Sequence, residues 1–153
     1  MFKTILVPTD GSPLADQAIN AAVQCARETG GRVIGLSVAE PYPFTPLSAS
    51  TFSEERALYD ERAREVAQEH VRKIEAAAHV LGVPCKALVT QSFSPSDEIV
   101  ETAERLGCDA IFMASHGRKG LGRLFIGSET QKVLAATAIP VMVFRQGDSD
   151  AIR

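Results

Sequence analysis

The chain alternates between two hydrophobic periods, and that alternation limits its fold more than any other feature. Short β-rich runs stand at Lys3–Val7, Arg32–Val38, Val83–Thr90, Ala110–Ala114 and Pro140–Phe144. Between them lie segments of helical periodicity. In the first, Leu14, Ala18, Ala21, Ala22, Cys25 and Ala26 share one face, with Ser12 as N-cap and Pro13 at the first helical position. The second runs from a cap at Ser53 to about Leu81, with Leu58, Val66, Val71, Ile74, Ala78 and Leu81 turned inward. The third opens on Ser94-Pro95-Ser96-Asp97 and closes at Leu106; the fourth spans about Ser128 to Thr137. The order is β-α-β-α-β-α-β-α-β with strands apolar on both faces. It predicts one α/β domain with a doubly wound, five-stranded parallel sheet covered by helices on both sides.

At 153 residues with 45% hydrophobic content, the chain suffices for one such core. Residues 1–145 are expected to form the domain and 146–153 a polar tail. A formal charge of -3 argues against broad nucleic-acid or membrane-surface binding. The run Ile5-Leu6-Val7 is too short for a signal peptide's apolar core, and no window reaches the length of a membrane helix. Cys25, Cys85 and Cys108 lack metal-ligand spacing and read as packed, reduced thiols of a cytoplasmic protein.

Ligands of doubly wound sheets sit beyond the carboxyl ends of the strands. The richest such end follows the fourth strand. There Gly117, Gly120, Gly122 and Gly127 are interspersed with Arg118, Lys119 and Arg123 before Ser128 opens a helix. Glycines let backbone N–H groups approach an anion, and a helix N-terminus adds unpaired donors and a positive dipole end. The segment therefore suits a phosphate cradle; a plain glycine loop is the alternative. Ser128-Glu129-Thr130-Gln131 also reads as a capping box, which explains Ser128 without a ligand. Asp10, ending the first strand, suits either ribose hydroxyls or bracing of the turn. His116 is a cleft or surface histidine; His70 and His79 read as solvent-facing on the long helix, and Glu54, Glu55, Asp60 and Glu61 as its solvated charge. No nucleophile–base motif stands out.

Four stretches resemble the universal stress protein family: Ile5–Ser12, Pro95–Val100, Met113–Ser128 and Pro140–Val143. The ATP-binding branch of that family carries G-x2-G-x9-G-[ST] after its fourth strand. Gly117, Gly127 and Ser128 match it, and Ala114 replaces the first glycine. The resemblance implies strand order 3-2-1-4-5 and a Rossmann-like site. Pro8, Thr9, Asp10 and Val38 would border adenine and ribose; Met113, Ala114, His116 and Gly117 would approach ribose and phosphates. Gly127, Ser128, Glu129 and Thr130 would hold the phosphates, with Mg2+ accompanying ATP. It also implies a homodimer through the last strand, at Val141 and Val143.

Three functions follow from these readings. The first is an ATP-dependent switch in stress survival that an unknown protein partner reads. The second is an interaction protein that takes no nucleotide, and Ala114 is the residue that discriminates it from the first. The third is a slow ATPase.

Overall fold

The computed structural model describes residues 1–43, 53–116 and 126–147. Five strands, β1 (Thr4–Pro8), β2 (Arg32–Ala39), β3 (Cys85–Gln91), β4 (Ala110–Ala114) and β5 (Val141–Phe144), alternate with four helices. These are α1 (Pro13–Thr29), α2 (Ser53–Val80), α3 (Pro95–Arg105) and α4 (Ser128–Ala136). The sheet is parallel throughout, in the order β3-β2-β1-β4-β5. That is the order the family resemblance implies. Element ends differ from the sequence reading by one or two residues.

Period-two alternation sends successive side chains of each strand to opposite faces. Ile5, Val7, Val33 and Phe112 pack with Ile19 and Val23 of α1 and Ile74 and Ala78 of α2. Leu6, Ile34, Leu36, Ile111 and Met113 pack under Ile99, Val100 and Ala103 of α3 and Val133 of α4. Burying each large aliphatic side chain contributes about 1.5–3 kcal/mol. Only the central strands are buried on both faces; the edge strands β3 and β5 are mostly half-buried. All three cysteines are free. Burial pushes the Cys85 and Cys108 thiols up to about 11, so both stay protonated near neutrality. Among the described residues no helix is long and apolar enough to cross a membrane.

Sequence expectations along α2 need correction. Ser53, expected as the N-cap, is itself the first helical residue, so the helix starts one residue earlier than expected. Leu58 and Val66, expected in the core, are 48% and 51% exposed. Length explains this. Twenty-eight helical residues span about 42 Å, whereas the seven of β3 span about 23 Å. Gln91, at the end of β3, donates from Nε2 to Asp60 Oδ1 at 2.9 Å. That bond sets Asp60 level with the strand ends and shows it is more than solvated charge. The N-terminal turns of α2 therefore overhang the sheet, while Val71, Ile74 and Ala78 stay fully buried on it.

Candidate functional site

The chain builds β1, β2 and β3 in one direction, then returns to place β4 on the other side of β1. The strand order reverses between β1 and β4, where a doubly wound sheet opens a crevice. The ladders show the opening. β1 pairs with β2 as far as Pro8–Leu36, but with β4 only at Ile5–Ala110 and Leu6–Ile111. Beyond these pairs lies a cleft of about 910 Å³, walled on its far side by the overhang of α2.

Of the expected residues, Pro8, Thr9, Asp10, Val38, Met113, Ala114, His116, Gly127, Ser128, Glu129 and Thr130 all line this cleft. Gly117 lies outside the described residues, as do Arg118, Lys119 and Arg123. So do the segment 44–52, which holds most of the proline-rich loop, and the tail 148–153.

The turn after β1 is an acceptor site. Asp10 Oδ1 accepts from Ser12 N–H at 2.9 Å, and Ser12 Oγ caps α1 by accepting from Ala15 N–H at 3.1 Å. Burial alone would raise the Asp10 carboxyl. Its hydrogen bonds from Ser12 and the charge of His116 together outweigh that and hold it below its ordinary value. His116 Nε2 lies 3.1 Å from Asp10 Oδ2 and 3.0 Å from Ser12 Oγ. A carboxylate only accepts, so Nε2 carries the proton. The same nitrogen therefore cannot take a proton from Ser12, and the trio is not a nucleophilic triad.

Among the described residues, backbone at the end of β2 is also unspent on its β1 side. Thr9 N–H donates to Leu36 O at 2.8 Å, the last bond between β1 and β2. Even-numbered residues of β2 face β1, so the next pair of groups on that edge, the N–H and C=O of Val38, opens onto the cleft.

The phosphate-cradle residues adopt a different arrangement from the expected capping box. Gly127, not Ser128, is the N-cap of α4, and among the described residues no side chain caps it. Gln131 turns its amide to Ile126 O at 2.7 Å instead of reaching back to the cap. The reason is local: the α4 entry is fixed from β4. Buried Ser115 accepts from Gly127 N–H at 2.8 Å, and its own N–H donates to Phe144 O at 2.8 Å. Ser128 is consequently the first helical residue and is exposed on the cleft. Among the described residues nothing bonds the N–H groups of Ser128, Glu129 and Thr130. The Glu129 carboxylate points away, taking Ser96 N–H at 3.0 Å and Lys132 Nζ at 3.2 Å. It thus caps α3, where Ser94 occupies the N-cap position without a side-chain bond.

Sequence reasoning missed three contributors. Ser115 left no signal beyond its place beside the glycines. His70, expected in solvent, is half-buried on the cleft with Nδ1 3.5 Å from Ser37 Oγ. Arg62 also lines the cleft, from the overhang of α2.

With this geometry in view, the comparisons are specific. The model of the universal stress protein family matches residues 1–145. A universal stress protein of Methanocaldococcus jannaschii is 32% identical over 146 residues, covering 95% of this chain and 84% of the relative. The solved structure of a second M. jannaschii member has a TM-score of 0.80 at 28% identity, covering 97% of this chain and 99% of that one. A universal stress protein of Archaeoglobus fulgidus, solved in complex with dAMP, shares the fold with a TM-score of 0.66 at 19% identity, covering 94% and 98%.

Proposed function

This chain belongs to the universal stress protein family, and from that footing we propose that it binds ATP across the ends of β1 and β4 as a nucleotide-dependent switch in stress response. The observation that carries the reading is the open N-terminus of α4. Three backbone donors and the Ser128 side chain face the cleft, uncapped, at the positive end of a helix dipole. A phosphate group supplies what those donors lack. The Asp10 carboxylate, ionised at neutral pH, suits ribose hydroxyls. The Val38 pair suits adenine, whose ring nitrogen N1 accepts and whose N6 amine donates; guanine presents the reverse. Bound dAMP in the A. fulgidus protein agrees in ligand class. Among the described residues no group of three or more His, Cys, Asp or Glu is arranged to hold a metal, so Mg2+ would be held by the phosphates. A switch further requires that ATP contact two states of the site differently, producing a change that a partner protein reads.

Isothermal calorimetry on nucleotide-free protein tests the binding. Mg-ATP is expected to bind with a roughly micromolar Kd, and Mg-GTP at least about tenfold more weakly, because each unpaired polar contact costs about 1–3 kcal/mol. Absence of heat and of any thermal shift at millimolar ATP would sink the reading.

We also propose that β5 pairs two copies. Ile111 N–H donates to Pro140 O and Ser115 N–H to Phe144 O, so even-numbered residues of β5 face β4. The backbone groups of Val141 and Val143 therefore point outward from an open edge. Val143→Pro removes one outward N–H without touching the ladder to β4. It is expected to convert a dimer into a monomer in light scattering; a wild-type chain already monomeric at high concentration would refute the pairing.

A further inference from the structure

One side chain crosses the crevice. His116 leaves the end of β4, and its Nε2 reaches Asp10 Oδ2 and Ser12 Oγ on the β1 side, at 3.1 Å and 3.0 Å. We propose that this bridge is a latch: His116 holds the carboxylate oxygen that a nucleotide's ribose must take, so imidazole and ligand compete for Asp10. The inference rests on the nucleotide reading above and assigns His116 a role opposite to a simple ligand contact.

Asp10 Oδ1 is already committed to Ser12 N–H at 2.9 Å, which leaves Oδ2 as the oxygen turned to the cleft. The bridge spans the point where the strand order reverses, between β1 and β4. The imidazole is half exposed, so it can release into water without surrendering buried apolar surface. Ser12 Oγ also keeps its bond from Ala15 N–H when His116 leaves, and α1 therefore stays capped.

Asp10 is held ionised and Nε2 carries the proton between them, so the closed contact is a hydrogen bond to a charged acceptor, stronger than one between neutral groups. Other charged or titratable groups near the turn are engaged elsewhere. From α2, His70 packs on Gly11, and Lys73 Nζ lies 3.3 Å from Gly11 O and 3.5 Å from Asp16 Oδ1. From α4, Glu129 serves Ser96 and Lys132. Among the described residues Asp10 is the one ion-pair partner of His116.

The test is calorimetry with Mg-ATP at neutral pH on the full chain and on His116→Ala. His116→Ala is expected to bind about two- to fivefold more tightly than the wild type, the worth of a half-exposed contact to a carboxylate. Without ligand, the NMR signals of the His116 ring are expected to move in Asp10→Asn; signals that stay in place overturn the latch alone. Weaker binding by His116→Ala makes the imidazole a ligand contact; that result, or equal binding by the two proteins, overturns the latch and leaves the nucleotide reading intact. Absence of ATP binding by either protein overturns the latch and the nucleotide reading together.

Discussion

Gly127→Val is expected to weaken Mg-ATP binding by about a hundredfold or more. A side chain at this position cannot be accommodated where the chain now runs. Its Cβ would stand 2.6 Å from the His116 carbonyl oxygen and 3.4 Å from Ser115 Oγ. Both neighbours belong to the end of β4, so either the α4 entry shifts outward or the Ser115–Gly127 bond breaks. The donors of Ser128, Glu129 and Thr130 move with it. Losing two charge-assisted hydrogen bonds to phosphate, about 1.5–3 kcal/mol each, accounts for that loss of affinity. Overpacking costs a further 1–3 kcal/mol or so of fold stability. Calorimetry beside urea denaturation separates the two effects. Ser115→Ala is the companion variant: it removes the acceptor of the tie without the clash and should lose less of both. Wild-type affinity in Gly127→Val would mean that the α4 entry does not hold the ligand.

Gly11→Ala is expected to destabilise the fold. Two penalties coincide there. The backbone is left-handed, with φ +79°, which costs a residue bearing a Cβ about 1–2 kcal/mol. That Cβ would also lie 2.3 Å from His70 Nε2 and 2.4 Å from its Cδ2, inside the ring's own volume. A total loss of about 2–4 kcal/mol is expected, lowering Tm by roughly 5–15 °C for a chain of this size. Denaturation of Gly11→Ala, His70→Ala and the double variant checks it. The double variant should recover the steric part and retain the backbone part, so the cycle must show strong coupling. Strict additivity would mean that the turn does not rest on the imidazole.

The order of elements was legible because each strand and helix announces its own period, and Pro13 and Pro95 mark helix starts as their fixed φ demands. The sheet order was legible only through the family resemblance, since nothing local distinguishes a centre strand such as β1 from its neighbours. Reading α2 failed at Leu58 and Val66 because helical periodicity reports which face is apolar and says nothing of where the underlying sheet stops. His70 was unreadable for a related reason: its burial depends on Gly11, fifty-nine positions earlier, meeting it in space. The capping-box motif at Ser128 fitted the sequence, yet the tie from Ser115 sets the helix entry one residue earlier. The resemblance set Glu129 among the residues at the phosphates and said nothing of its carboxylate, which serves the start of α3. The expected cleft residues were legible because strand ends are where this architecture leaves backbone groups unspent.

The bond between Ser115 and Gly127 joins residues twelve positions apart. Ser115 is at the same time fixed to Phe144 through its own N–H. The first turn of α4 therefore inherits its direction from the two strands behind it, and a change of residue within the helix leaves that direction where β4 and β5 set it.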